Sequence, residues 1–136
     1  MLESSYEQHI EGFLCTFLSE HRAVRWRAIL NKKPKHWKKV SAWDLWDNRY
    51  TSTKHCIEWN HSLKELLASS LFMPYQKKQC VVIHCGHAEG KIETLSLLDA
   101  LTGENALFEG IISIVPYKLA LVVNHDGDIC ICQKQT

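Results

Sequence analysis

Acidic residues are missing from one long block of this sequence, and features typical of several protein classes are missing from all of it. No apolar run reaches the roughly 18–20 residues that a membrane-spanning helix needs. The first residues, MLESSYEQHIEG, lack the basic start and the apolar core of a secretory signal. Three prolines and six glycines among 136 residues leave little room for disorder. We therefore expect a folded cytoplasmic protein that does not contact a membrane.

Motifs that mark common enzyme chemistries are also missing. The sequence has no GxSxG elbow, no glycine-rich phosphate loop and no HExxH zinc motif. Asp126 and Asp128 flank Gly127 as in part of a calcium loop, but the later ligands are absent and turn chemistry explains them. Cys85 beside His84 leaves a small Cys/His hydrolase as a weaker alternative. We therefore predict a protein that is not an enzyme.

The block without acids, residues 21–43, is strongly basic. It holds eight of the sixteen lysines and arginines and none of the fifteen acids, so it carries a formal charge of +8 and the remainder carries −7. Such asymmetry indicates a charged partner.

The basic block permits two interpretations. In a nucleic-acid-binding module, Trp26 and Trp37 would stack on bases while basic side chains contact phosphates. The basic side chains proposed for this role are Arg22, Arg25, Lys32, Lys33, Lys35, Lys38 and Lys39. In the other interpretation the block is a solvated helix face, and its tryptophans belong to the core.

Apolar spacing predicts helices in the N-terminal half. Residues 6–18 have the spacing of an amphipathic helix, which we expect to continue until Pro34 with at most a bend near His21. A short second helix is predicted at 37–46 and a third at 56–70.

After Pro74 the apolar period changes from about 3.6 residues to 2. The predicted elements are a buried strand at 80–85, a helix at 92–101 that Gly103 ends, and three strands at 111–115, 119–123 and 129–133. We therefore predict one domain, 1–136, of the α+β class. Its helical part, 1–72, would pack on a small, mainly antiparallel sheet of order β-α-β-β-β in 78–134.

Six cysteines raise the question of disulfides or a metal, and the sequence favours neither. Disulfide-rich domains are usually shorter and secreted, so we expect six reduced thiols. Cys130 and Cys132 are separated by one residue, so a strand points both to the same face. A structural zinc site prefers cysteine pairs two to four residues apart, and the distant His84 and His87 complete it poorly. We predict no metal and no cofactor.

A mixed polar and aromatic cluster follows the second predicted helix. It consists of Asp44, Trp46, Asp47, Arg49 and Tyr50. Aromatic residues and arginine are common anchors of protein interfaces, although a helix end with ordinary solvated charges has the same composition. Further acids suited to a basic partner lie towards the C-terminus: Glu104, Glu109, Asp126 and Asp128.

Two stretches together resemble a group of small bacterial α+β proteins. The first is the RAxRW…KPKxWKK…W arrangement in 22–46, and the second is ISIVPYKLA in 112–120. The resemblance implies a helical front followed by a strand, a helix and a final β-meander, with glycine expected where this sequence has Tyr117. The two stretches cover about a quarter of the chain.

The group looks similar to cytoplasmic immunity proteins of contact-dependent growth inhibition and other polymorphic toxin systems. The resemblance implies that the chain binds and neutralises a cognate toxin by blocking its active site. A nuclease is the expected target, because a nuclease is basic around its substrate and the acidic remainder of this chain complements that charge.

Overall fold

Six antiparallel strands form one sheet, with helices packed on both faces, and this is the α+β class that the sequence predicts. The structure is a computed structural model that describes residues 4–39, 56–86, 90–104, 106–124 and 126–134. The helices are α1 (Ser4–Phe17), α2 (Glu20–Leu30), α3 (Leu63–Ala68) and α4 (Leu97–Thr102), with 3₁₀ turns at Pro34–Lys39 and Met73–Tyr75. The strands are β1 (Cys56–Trp59), β2 (Gln79–His84), β3 (Lys91–Ser96), β4 (Gly110–Val115), β5 (Leu119–Val123) and β6 (Ile129–Gln133).

The strands lie in the order β1-β6-β5-β4-β2-β3. Tight turns join β4 to β5 and β5 to β6, which confirms the three strands predicted at the C-terminus. β1 comes from far earlier in the chain and pairs with the outer edge of β6. The strand predicted at 80–85 is confirmed as β2, which lies between β3 and β4.

The first face of the sheet is covered by α1, α2 and the 3₁₀ turn that follows them. Its core is rich in aromatic side chains, among them Phe13, Phe17, Trp26 and Trp37, each at most 2% exposed. These side chains pack on the β-branched and small residues of the strands beneath them: Val81, Ile83, Ile111, Ala120 and Val122. We call this the α1/α2 layer.

The second face is covered by α3, α4 and the segments beside them. Its core is mainly aliphatic, with Leu66, Leu97 and Ala100 of the helices fully buried. Strand residues one position away from those of the first face complete it, because side chains alternate across a strand: Val82, Ile112, Leu121, Ile129 and Ile131. We call this the α3/α4 layer.

The prediction of one helix that continues to Pro34 is wrong, because the structure interrupts it at Leu18 and Ser19. The hydroxyl of Ser19 accepts a hydrogen bond from the backbone N–H of Arg22 at 3.3 Å, so α2 begins anew at Glu20. Because of this interruption, α2 turns a different side to the sheet than a continuous helix would. Val24 is therefore exposed, while Ala23 and Trp26 face the core.

Two other predicted helices begin too early. Residues 56–59 form β1 rather than the start of a helix, and the helix in that region spans only Leu63–Ala68. Ile92 and Leu95 lie on β3, and α4 begins at Leu97. Gly103 follows α4 as predicted. Apolar residues three apart share one face of a helix, whereas on a strand they point to opposite faces. Strand β3 accommodates them because both faces of the sheet are covered: Ile92 packs on the core of the α1/α2 layer and Leu95 on that of the α3/α4 layer.

The turn between β4 and β5 forms although glycine is absent from it. Tyr117 has a φ of 67°, the left-handed region that costs a non-glycine residue roughly 1–2 kcal/mol. The backbone N–H of the next residue, Lys118, bonds to the carbonyl of Val115 at 3.0 Å and closes the turn. Helix α1 touches this turn at Gly12, where a Cβ would lie only 2.7 Å from the backbone nitrogen of Tyr117.

None of the helices within the described residues is long and apolar enough to cross a lipid bilayer.

Candidate functional site

A groove of about 310 Å³ opens on the α3/α4 layer, at the end of the sheet where β5 turns into β6. Helices α3 and α4, the segment before β4 and the β5–β6 turn each contribute to its walls. The lining residues are Leu63, Leu101, Leu107, Phe108, Val123, Asp126, Gly127 and Ile129. Six of the eight are apolar, and two of these, Leu63 and Phe108, are among the exposed large hydrophobic residues of the chain.

Exposed apolar side chains are concentrated on this layer. Phe108 is 53% exposed and Leu63 is 37% exposed. Leu98 of α4 and Met73 are also exposed, and Ile57 pairs with Ile131 and so shares its face of the sheet. Only Val24 and Tyr117, among the described large apolar residues that are exposed, lie elsewhere. Of these residues, Leu63 and Phe108 line the same groove, and neighbouring exposed apolar side chains mark an interaction surface more often than isolated ones do.

Acidic side chains border the groove. Asp126 lines it directly, and Asp128 lies in the same turn. Glu104 is exposed in the segment between Leu101 and Leu107, which both line the groove. Residues 97–129 contain five acids and a single lysine or arginine, Lys118, which lies in the β4–β5 turn at the opposite end of the strands.

The β5–β6 turn that carries two of these acids is held by one buried side chain. The Oδ1 atom of Asn124 accepts the backbone N–H groups of Asp126 and Asp128 at 3.0 and 2.9 Å. Its Nδ2 atom donates to a carboxylate oxygen of Asp128 at 3.2 Å. Asn124 is fully buried. The turn is therefore rigid, and Asp126 is held at the rim with its side chain exposed.

Glu109 does not belong to this surface, and its prediction as a contact residue is wrong. Its side chain is fully buried. Its carboxyl group lies against Gly86, where a Cβ would collide with it, and its carbonyl accepts the backbone N–H of Cys85 at 3.0 Å. Sequence reasoning missed this because an isolated glutamate between Phe108 and Gly110 has the pattern of a loop residue.

A second, basic cleft of about 750 Å³ lies between α1 and the end of α2. Its walls include the basic side chains of Arg27, Lys32 and Lys33, and a shallower hollow beside it adds Lys35. Two acids, Glu7 and Glu11, also line it. The three lysines are exposed. This cleft collects much of the basic block on one side of the molecule.

Part of the charge in the basic cleft is neutralised within the chain. The guanidinium group of Arg27 forms an ion pair with Glu11, with Nε 3.2 Å from one carboxylate oxygen. Hydrogen bonding from Arg27 lowers the pKa of Glu11, so the carboxylate stays ionised and the pair persists.

The two tryptophans of the basic block are not available to stack on bases. Trp26 and Trp37 are fully buried, and the indole N–H of Trp37 donates to the carbonyl of Lys32 at 3.1 Å. Trp37 therefore holds the segment that presents the lysines. Arg22 is only 4% exposed, so its prediction as a phosphate contact is wrong, whereas Arg25 is exposed.

Some predicted site residues lie outside the described part of the chain. They are Asp44, Trp46, Asp47, Arg49 and Tyr50, together with the side chains of Lys38 and Lys39. His87 also lies outside it.

The residues proposed for a Cys/His hydrolase are not arranged as a nucleophile and its base. The Nε2 atom of His84 lies 2.6 Å from a carboxylate oxygen of Glu93 on β3. Burial lowers the pKa of His84, and hydrogen bonding to Glu93 opposes that shift. Burial raises the pKa of Cys85 to about 12, which keeps its thiol protonated at neutral pH.

Three cysteines come together where the edge strand β1 pairs with β6. Cys56 on β1 lies directly opposite Cys132 on β6, and Cys130 shares their face. The Sγ atoms of Cys56 and Cys132 are 3.5 Å apart, and all three Sγ atoms lie within 4.8 Å of one another. The sequence does not predict this cluster, because the apolar spacing places residue 56 on a helix and not on a strand that pairs with β6.

No protein-family model matches this sequence, and no similar curated protein or solved structure was found.

Proposed function

We propose that this protein binds a basic protein partner through the acid-bordered groove, and that it acts in the cytoplasm as an immunity protein whose target is a toxin, expected to be a nuclease. The observation that carries the proposal is the exposure of Phe108 and Leu63 in a groove with Asp126 at its rim. Aromatic anchors surrounded by polar residues are the usual hot spots of protein interfaces.

The apolar walls supply affinity in this proposal. Burying a large apolar side chain contributes about 1.5–3 kcal/mol relative to leaving it in water. Phe108 and Leu63 are partly covered already, so each retains a fraction of that gain for the complex. The rigid β5–β6 turn lowers the entropy that binding must overcome, because Asn124 orders it beforehand.

The acids supply orientation and speed. A nuclease places lysine and arginine side chains where it binds the phosphates of its substrate. Carboxylates at the rim of the groove attract those side chains and increase the rate of association. Bound in this way, the protein occupies the surface that the nucleic acid needs, and the toxin is neutralised without any chemical step.

The experiment places a photo-crosslinking benzoyl-phenylalanine at position 108 in the cell that makes this protein. The same residue at position 24 is the matched control, because Val24 is 60% exposed but lies on the α1/α2 layer. We expect position 108 to capture a basic protein that arrests growth when it is expressed alone. The wild-type chain should restore growth, and the Leu63→Ala/Phe108→Ala double variant should fail to do so.

Two results would contradict the proposal. One is equal capture of the same protein from positions 108 and 24. The other is full rescue of growth by the double variant when circular dichroism shows that it is folded, because the groove would then contribute nothing to neutralisation.

A nucleic-acid-binding module remains the second candidate, and one observation favours it. Lys32, Lys33 and Lys35 are exposed around neighbouring hollows and are well placed to follow a phosphate backbone. The burial of Trp26 and Trp37 removes the stacking platforms that single-strand binders use. Micromolar binding of generic RNA at physiological salt, lost when the three lysines are changed to alanine, would favour this candidate over the first.

A further inference from the structure

The pairing of β1 with β6 creates a three-thiol cluster that neither strand could form alone. Cys130 and Cys132 alternate with Ile129 and Ile131, so the two thiols point to the face opposite the groove. Cys56 is the direct partner of Cys132 across the antiparallel ladder. The third sulfur therefore arrives from a residue 74 positions earlier in the chain than Cys130.

The sulfur atoms have the separation that a shared metal ion requires. A metal–sulfur bond of about 2.3 Å places two sulfur ligands about 3.8 Å apart in a tetrahedral site and about 4.0 Å apart in a trigonal one. Here Cys56 and Cys132 are 3.5 Å apart, and no pair of the three exceeds 4.8 Å. The separation of about 3.8–4.0 Å that a shared ion requires lies between these two values.

The surroundings of the cluster favour a soft ion. Cys132 is almost fully buried, while Cys56 and Cys130 are partly exposed and give an ion a path from solvent. Thiolate sulfur is a soft ligand and selects metal ions with a high affinity for sulfur.

We propose that Cys56, Cys130 and Cys132 form a trigonal binding site for a soft monovalent metal ion, Cu(I). Thiolates select soft ions, and three sulfur atoms alone satisfy a three-coordinate Cu(I) centre. Structural Zn²⁺ sites are almost always four-coordinate. No other histidine, cysteine, aspartate or glutamate among the described residues joins the three thiols. The sequence-based expectation of no metal weighed Cys130 and Cys132 with the distant His84 and His87, and it did not include Cys56.

The test titrates the reduced full-length chain with Cu(I) under anaerobic conditions in competition with a chromophoric Cu(I) chelator. We expect one Cu(I) per chain, and X-ray absorption at the copper edge should show sulfur ligands alone. Single serine substitutions at 56, 130 and 132 should each weaken binding more than about 100-fold, because each removes a direct ligand. Cys15→Ser and Cys80→Ser are matched controls that leave the cluster intact, and they should bind as the wild type does.

A second measurement stands even if a substitution at the buried Cys132 prevents folding. Alkylation of the wild-type chain is followed by mass spectrometry with and without Cu(I). Bound metal should protect Cys56 and Cys130 while Cys15, which is exposed, reacts at the same rate in both samples. Equal protection of Cys15, or undiminished binding in a Cys56→Ser/Cys130→Ser variant, would overturn the proposal. Preference for Zn²⁺ over Cu(I), with an oxygen ligand in the metal shell, would overturn the Cu(I) assignment.

Discussion

The two layers that cover the sheet use their large side chains in opposite ways. The α1/α2 layer buries Phe13, Phe17, Trp26 and Trp37 and presents lysines and arginines to solvent. The α3/α4 layer has a mainly aliphatic core, in which Phe72 is also buried, and leaves Phe108 and other large apolar side chains exposed. Residue type therefore does not indicate role in this protein. The tryptophans beside the lysines are buried and stabilise the fold, whereas the phenylalanine beside the acids is exposed to solvent.

The largest difference between the two layers is expected in the free energy of unfolding of their variants. Trp37→Ala removes a fully buried side chain together with the hydrogen bond to Lys32, and should lower the free energy of unfolding by roughly 3–5 kcal/mol. Phe108→Ala should cost less than about 1 kcal/mol, because half of that side chain is already in water. Urea denaturation followed by tryptophan fluorescence measures both. Similar losses in the two variants would mean that Phe108 is a core residue and that the layers do not differ as described.

The next largest effect concerns binding of the proposed basic partner. The Leu63→Ala/Phe108→Ala variant should lose about 2 kcal/mol of binding free energy or more, which is roughly 30-fold in the dissociation constant. Asp126→Lys should mainly slow association and reduce its salt dependence. Calorimetry and stopped-flow measurements with the captured protein test these values. If the Lys32→Ala/Lys33→Ala/Lys35→Ala variant weakens the same complex more than the groove variants do, the binding surface is the α1/α2 layer and not the groove.

A smaller effect is expected when the pH is lowered, and it involves one histidine under each layer. Burial lowers the pKa of both His9, which bonds to Ser113 beneath α1, and His84. Each is therefore neutral in the folded state at a pH where the unfolded chain binds a proton. Stability should fall as the pH decreases below about 6.5, the ordinary histidine value. His84→Gln and His9→Gln should each flatten this dependence in urea denaturation, and unchanged slopes would contradict the assignment.

The smallest effect should come from the exposed lysines. Changing Lys32, Lys33 or Lys35 to alanine should alter the free energy of unfolding by no more than about 0.5 kcal/mol each, because none of these side chains is buried. Thermal denaturation of the single variants measures this. A loss above about 1 kcal/mol would show that the basic surface, like its tryptophans, is part of the fold.

The elements that sequence reasoning located correctly are those with one unambiguous signal. Strand β2 is a short run of β-branched residues, and β4, β5 and β6 are separated by turns around Pro116 and Gly127. The errors share a cause. Ser19, Ser62 and Ser96 each cap a helix through the side-chain oxygen, and each marks a helix start that the apolar spacing had placed earlier.

The candidate site was only partly accessible from the sequence. Three of the predicted acids are exposed: Glu104, Asp126 and Asp128. Carboxylates are rarely buried unless they are paired, so acids in turns usually face solvent. The burial of Arg22 and Glu109 depends on the rotation of α2 and on the packing of Gly86, neither of which a local pattern contains. The cysteine cluster depends on a pairing between distant strands, which local patterns also do not contain.

Strand β5 has a consequence for how ligand binding can be measured in this protein. All five of its residues are buried, and it is hydrogen-bonded to β4 on one side and to β6 on the other. Its amide hydrogens should therefore exchange with deuterated solvent only when the whole molecule unfolds. A ligand at 100 times its dissociation constant adds about 2.7 kcal/mol to that opening and slows exchange roughly 100-fold. The same few amides thus report on occupancy of the groove and of the thiol cluster, and the measurement needs no chromophore or label.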